Sequence, residues 1–186
     1  MSKNEIRREV LARRDTIAGD ARIEKSLRAA ENALALPVLR DLMPGTVVSG
    51  FLPIRSEIDA RPLMDALRAK GARLCLPAVL DRETIAFREL LRTGELVDTG
   101  FGTVGPGPDA AVLEPEVLIV PLAAFDRQGN RLGYGAGHYD RAIARLDAPA
   151  LVGLAFAEQE VASVPAEPHD RPLHAVATDA EAFEVR

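Results

Sequence analysis

The sequence predicts an open α/β fold, with helices on both faces of a mainly parallel sheet, and three observations predict it. Segments with helical spacing alternate with short runs rich in β-branched residues, a βαβ rhythm. Residues 117–121, Val-Leu-Ile-Val-Pro, and 151–156 are apolar without a break, the mark of strands covered on both faces. No internal repeat or composition shift divides the 186 residues, so one three-layer domain spanning 1–186 is expected.

The elements follow in order. Over residues 4–17 the apolar positions Ile6, Val10, Leu11, Ala12 and Ile17 form one stripe among many charges, which predicts an amphipathic helix. Lys3 and Arg7 stand one turn apart on a shared face, which by pattern alone reads as a solvated basic face. A second helix runs from Asp20, a candidate N-cap, to about Leu36, and Pro37 and Pro44-Gly45 close this region. Residues 46–52 are the first strand, followed by a helix over 61–70 with Pro62 in its first turn. Residues 72–76 are the second strand and 84–90 the third, joined by Asp81-Arg82-Glu83. Residues 94–108 are rich in glycine and proline with little periodicity and read as a long surface loop. The buried strand at 117–121, a helix over 139–146, a strand at 151–156 and a last strand at 175–178 complete the chain.

With 28 acidic against 23 basic residues the net charge is −5, which disfavours non-specific nucleic-acid binding. The single cysteine, Cys75, has no internal partner and reads as a buried strand thiol rather than a nucleophile. The charged N-terminus lacks a secretion signal's apolar core, and no apolar run nears the roughly 20 residues that span a bilayer. A cytoplasmic protein is expected.

Chemistry concentrates in residues 120–141. An apolar strand end leads through an Asp-containing turn to Gly133, Gly135 and Gly137 at alternate positions, directly before a helical segment. A strand, a glycine-rich loop and a helix start together present backbone N–H groups to phosphate. The spacing is neither a dinucleotide-binding fingerprint nor a Walker loop, which needs Lys-Ser or Lys-Thr after its last glycine. Arg131 and Asp140-Arg141 flank the glycines, and that favours a phosphate cradle over a turn that merely needs glycine. Arg131 can fork onto phosphate oxygens, and Asp140 can hold a divalent cation. Glu57, just past the first strand, either accepts N–H groups of a heterocycle or serves as a helix-dipole acid worth about 0.3–1 kcal/mol; the pattern leaves both open. His138, His169 and His174 lack metal-ligand spacing, and His169-Asp170 before Pro172 reads as a turn.

Residues 120–141 resemble the signature of the 5-formyltetrahydrofolate cyclo-ligase family: a Val-Pro strand end, Phe-Asp, Gly, Arg-Leu-Gly, alternating glycines and Tyr-Asp-Arg. Lys3 with Arg7, Ser56-Glu57-Ile58-Asp59 and Pro168-His169-Asp170 match further family segments in the same order. The resemblance implies a fold shared with ribose-5-phosphate isomerase and coenzyme A transferases. It also implies ATP- and Mg2+-dependent cyclisation of 5-formyltetrahydrofolate to 5,10-methenyltetrahydrofolate, with release of ADP and phosphate. By the same resemblance, residues Lys3, Asn4, Glu5, Ile6 and Arg7 bind ATP. So do Arg131, Leu132, Gly133, Tyr134, Gly135, Ala136, Gly137, His138 and Tyr139. Asp140 holds magnesium, Glu57 binds the pterin with Leu52 and Phe51 beside it, and Arg131 and Tyr139 serve the reacting groups. The implied partners are ATP and the folate, with no nucleic acid and no membrane, in a monomer or weak dimer.

Three positions depart from the family pattern. His138 replaces an aromatic residue before Tyr139, Gly105-Pro106 replaces Glu-Pro, and His174 stands where an Asp is expected. A histidine is a poor ligand for a hard cation. A catalytically weakened binding module and a different enzyme on the related fold, such as a coenzyme A transferase or sugar-phosphate isomerase, are the competing readings. No glutamate nucleophile motif supports the latter.

Overall fold

The computed structural model describes residues 1–100 and 102–186. Its centre is a seven-stranded sheet in the order β11-β10-β9-β6-β1-β2-β3. The strands are β1 (Val47–Ser49), β2 (Arg73–Val79), β3 (Ile85–Glu89), β6 (Val117–Val120), β9 (Ala150–Leu154), β10 (Ala175–Ala177) and β11 (Ala182–Glu184). All neighbours from β10 to β2 pair parallel; β3 and β11 close the edges antiparallel. The βαβ rhythm therefore holds for β1, helix α4 (Arg61–Ala69) and β2, but not for β3. Only a tight turn joins β2 to β3, and a tight turn can connect only antiparallel strands. The Asp81 carboxylate holds that turn by accepting the Glu83 and Thr84 N–H groups, each at 2.8 Å.

Helices α2 (Gly19–Ala35) and α4 lie on one face of the sheet, where Ala29, Ala33, Leu63 and Leu67 pack on Val48, Leu74 and Ile119. Helix α5 (His138–Arg145) covers the other face through Ala142 and Ile143, against Phe87, Leu118 and Val120. The uniform burial of β6 agrees with its unbroken apolar run. Helix α1 (Lys3–Asp15) lies apart from both layers. Its Ile6 and Val10 pack on Ala124, Leu132 and Val164, while Leu11 is half-buried and Ala12 exposed. Ser2 and Glu5 form a capping box at its start.

Several expectations need correction. Residues 94–108 are not a plain loop: they contain a hairpin of β4 (Leu96–Gly100) and β5 (Thr103–Pro106), and Phe101 lies outside the described residues. Cross-strand bonding between Thr99 and Thr103 supplies what periodicity did not show. The last strand is β11 rather than β10; three residues are too few for a pattern to register. Strand β1 is only three residues long, and its pairing with β2 ends with the Gly50 N–H donated to Cys75 O at 3.0 Å. Asp20 lies inside the first turn of α2, whose N-cap is Ala18. Pro37 opens a short helix, α3 (Pro37–Arg40), as proline in a first turn can. Between β6 and the glycines stands a small hairpin, β7 (Ala124–Phe125) with β8 (Arg131–Leu132). No helix among the described residues is long and apolar enough to cross a membrane.

Candidate functional site

The strand order reverses at β1: the chain moves from β1 to β2 on one side, while β6 takes the other. In open α/β sheets ligands bind beyond the carboxyl ends of the strands at such a switch point. The segments leaving β1 and β6 there are the ones singled out by the sequence. Phe51 and Glu57 from the first, with Pro121 and Leu122 from the second, line a small closed crevice, too narrow here for a water molecule, that Arg14 and Tyr134 complete. Glu57 Oε2 accepts the Ile54 N–H at 2.9 Å, which fixes its carboxylate toward the cleft-forming turn. Its helix-dipole reading does not hold: α4 has no acid in its first turn, and Asp59 instead pairs with the Arg61 N–H and guanidinium. Leu52 is half-buried against the α2–α4 core and does not line this cleft, whereas buried Phe51 does.

The glycine loop lies beside the cleft. Gly133 to Ala136 are exposed. Among the described residues, no backbone N–H from Gly133 to Asp140 donates to the protein. Gly137 is the N-cap of α5 in the left-handed region (φ 68°), and a Cβ there would lie 2.9 Å from an Arg141 nitrogen. Two side-chain atoms at this helix start are buried without a hydrogen-bond partner, His138 Nε2 and the Tyr139 hydroxyl. Burial chiefly, and then the charge of Glu57, push the Tyr139 phenol well above its ordinary value. It is a neutral donor within reach of the charges of Glu57 and Arg131. A buried polar atom without a partner is uncommon and points to a ligand that supplies one.

Two cations border the loop, Arg7 and Arg131, and a third, Lys3, pairs with the turn over residues 167–170. Arg7 Nε donates to Gly133 O at 2.8 Å, and its Nη1 to Asn4 Oδ1 at 2.7 Å. The Arg131 side chain, only 6% exposed, spans the Arg171 carbonyl and the Asp140 carboxylate. Lys3 Nζ lies 3.1 Å from Asp170 Oδ2 and 3.5 Å from Glu167. Burial opposes ionisation of Asp170, but the Glu167 N–H and Lys3 outweigh it and hold its carboxyl below the usual range. The His169-Asp170 turn is thus a turn that also anchors Lys3. Within the predicted 3–7 segment, the Glu5 and Ile6 side chains face elsewhere, onto Ser2 and into the core.

The Asp140 carboxylate gives one oxygen to Arg131, and none of the described residues engages the other. One carboxylate oxygen completed by phosphate oxygens is a donor set magnesium accepts. His174 lies at the amino ends of β9 and β10, where its Nδ1 accepts the Leu151 N–H at 2.9 Å. It is committed to the sheet. Asp179 likewise takes Lys25 at 2.7 Å and the Ala157 N–H. Burial pushes the Cys75 thiol up to about 12, so it is no nucleophile at neutral pH.

Sequence reasoning missed Arg14, and it noted Arg141 beside the glycines without giving it a role. Arg14, 4% exposed, reaches Ser56 Oγ at 3.0 Å and the Tyr134 hydroxyl at 2.6 Å. It continues the buried i, i+4 row Ile6–Val10–Arg14, and an arginine on an apolar stripe was the available signal. Arg141 clamps the loop carbonyl of Ala136 (2.6 Å) to the carbonyls of Glu83 and Arg82 in the β2–β3 turn.

An open α/β sheet with an exposed glycine loop and an acid-bearing crevice at its switch point defines the class: an α/β protein whose candidate site lies where such sheets bind ligands. The family model described as the 5-formyltetrahydrofolate cyclo-ligase family matches residues 1–179. The 5-formyltetrahydrofolate cyclo-ligase of Escherichia coli (strain K12) is 31% identical over 180 residues, covering 92% of this chain and 97% of the relative. The enzyme of that name from Mycolicibacterium smegmatis is 37% identical over 145 residues, covering 72% and 74%. The solution structure of Aquifex aeolicus 5,10-methenyltetrahydrofolate synthetase superposes with a TM-score of 0.83 at 30% identity, covering all of this chain and 94% of that one. The chain belongs to the 5-formyltetrahydrofolate cyclo-ligase family of enzymes.

Proposed function

We propose that this protein converts 5-formyltetrahydrofolate and ATP to 5,10-methenyltetrahydrofolate, ADP and phosphate. The observation that carries the reading is the run of unengaged N–H groups from Gly133 to Asp140, bordered by Arg7 and Arg131, beside a crevice holding Glu57. The first suits a polyanion, and the second carries a carboxylate that can accept the N–H groups of a heterocycle once the crevice opens. In the reaction, the formyl oxygen takes the γ-phosphoryl group, and ADP departs. N10 of the folate then attacks the activated carbon and gives up its proton to the departing phosphate or to solvent, closing the ring as the C–O bond breaks and phosphate leaves with its oxygen. Both reacting ends come from the substrates, so the protein positions them and neutralises charge.

The loop N–H groups receive phosphate oxygens, and Arg131 stabilises charge on the transferring group after exchanging Asp140 for phosphate. Asp140 would hold magnesium, which would supply further neutralisation of phosphate charge. Glu57 accepts pterin N–H groups, and Phe51 covers the ring. Tyr139, kept protonated, donates its hydroxyl toward the formyl group. His138 adds a second buried, unpartnered nitrogen at the start of the same helix, on the side of Asp81. The test is ATP-dependent appearance of methenyl absorbance from purified protein, 5-formyltetrahydrofolate and Mg2+. No product from a folded sample that binds both substrates overturns the reading in favour of a binding module.

A further inference from the structure

Arg14 is a buried cation with no carboxylate partner among the described residues. Its charge is held by two neutral oxygens, Ser56 Oγ and the Tyr134 hydroxyl, and by the Tyr134 ring, whose centroid lies 5.8 Å from Cζ. These partners belong to different segments. Ser56 immediately precedes Glu57 on the loop leaving β1, and its hydroxyl also donates to Asp15. Tyr134 sits within the glycine loop, and its hydroxyl donates onward to Leu122 O at 3.2 Å, on the segment leaving β6. Arg14 therefore ties the last turn of α1 to both halves of the site. A planar fork can serve two oxygens in fixed directions; an ammonium cannot.

We propose that Arg14 is a positioning residue that couples the two half-sites: an anion bound on the glycine loop tightens the cleft around Glu57 through Tyr134, Arg14 and Ser56. The physical route is ordering. Phosphate oxygens taking the N–H groups around Tyr134 fix that stretch of backbone, and with it the Tyr134 hydroxyl on Arg14. Arg14 then holds Ser56, and so the backbone that carries Glu57. A heterocycle entering next has less order to impose, which is positive cooperativity without a large rearrangement. The inference rests on the proposed function for the nature of the two ligands, and not on turnover.

The test is calorimetric binding of 5-formyltetrahydrofolate to the full chain, with and without saturating Mg2+ and a non-hydrolysable β,γ-imido ATP analogue. The wild type is expected to bind the folate at least about fivefold more tightly with the nucleotide. Tyr134→Phe keeps the ring and removes only the hydroxyl; it should bring that ratio below about twofold. Ser56→Ala breaks the link from the other side and should do the same, and Arg14→Lys should not rescue it. An unchanged ratio in both Tyr134→Phe and Ser56→Ala, or no ratio in the wild type, overturns the coupling. Folate binding with a ratio but without turnover overturns only the proposed reaction. Absence of folate binding to the folded wild type overturns both.

Discussion

Two turns within fifteen residues of chain behave in opposite ways. The turn between β7 and β8 is closed. Buried Asp126 accepts the N–H groups of Gln128 and Asn130 at 3.0 Å each, the Asn130 side-chain amide at 3.0 Å, and the Val164 N–H at 2.8 Å. Gly129 at its tip has φ 81°, and a Cβ there would lie 2.7 Å from Leu173 O. The turn from Gly133 to Gly137 is open: it is largely exposed, its N–H groups have no acceptor among the described residues, and the nearby Asp140 carboxylate pairs with Arg131 rather than with them. Glycine is needed in both. What separates them is whether the chain provides its own anion. Where it does, the turn is architecture; where it does not, an anion from outside completes it.

Removing the charge beside the open turn should have the largest effect. Arg131→Ala is expected to lower kcat/KM by about 10²–10³-fold, the scale seen when a positioned donor to a charged transition state is lost. Steady-state kinetics, checked against the thermal midpoint, measures it, and near-normal turnover breaks the contrast. The closed turn should answer in stability instead. Asp126→Ala leaves several buried N–H groups unpaired and is expected to cost about 3 kcal/mol, a fall in Tm of roughly 6–12 °C. A Tm within a degree or two of the wild type would show that Asp126 does not hold the hairpin.

The smallest effect is spectroscopic. The chain has two tyrosines, Tyr134 and Tyr139, and both phenols are pushed above their ordinary value. For Tyr134 burial of the hydroxyl and the Glu57 charge raise it against the pull of Arg14, although the residue as a whole is 45% exposed. Folded protein therefore holds these protons where the unfolded chain releases them. Stability falls as pH rises past about 10, the unfolded value. Ultraviolet titration should show little phenolate at pH 10 and its appearance together with unfolding. A phenolate step at the ordinary value in folded protein would place the hydroxyls in solvent.

Much of the fold was legible because its signals are local. The unbroken apolar run of β6, the glycine and proline punctuation around α4, and the alternate glycines before α5 each act within a few residues. Elements that failed to register depend on partners: β4–β5 and the three-residue β11 exist through cross-strand bonds, and β3 runs antiparallel because its turn is too short for a crossover. The candidate site divides the same way. Its loop and the Lys3–Arg7 spacing could be read from the chain. The commitment of Lys3 to Asp170, of Arg131 to Asp140 and Arg171, and of His174 to the amino ends of β9 and β10 could not.

By itself the sequence determined which segments are strands and helices, where backbone N–H groups are left open, and which side-chain chemistry is available beside them. Those properties follow from hydrophobic period, glycine placement and residue type. Only the tertiary structure decided which polar groups meet. Arg14 and Tyr134 are separated by 120 residues, and Lys3 and Asp170 by 167. The physical reason is that local pattern sets each segment's own conformation, while the switch point of the sheet sets which segments face one another. At that point a buried arginine on an apolar stripe becomes the link between a loop awaiting an anion and a cleft awaiting a heterocycle.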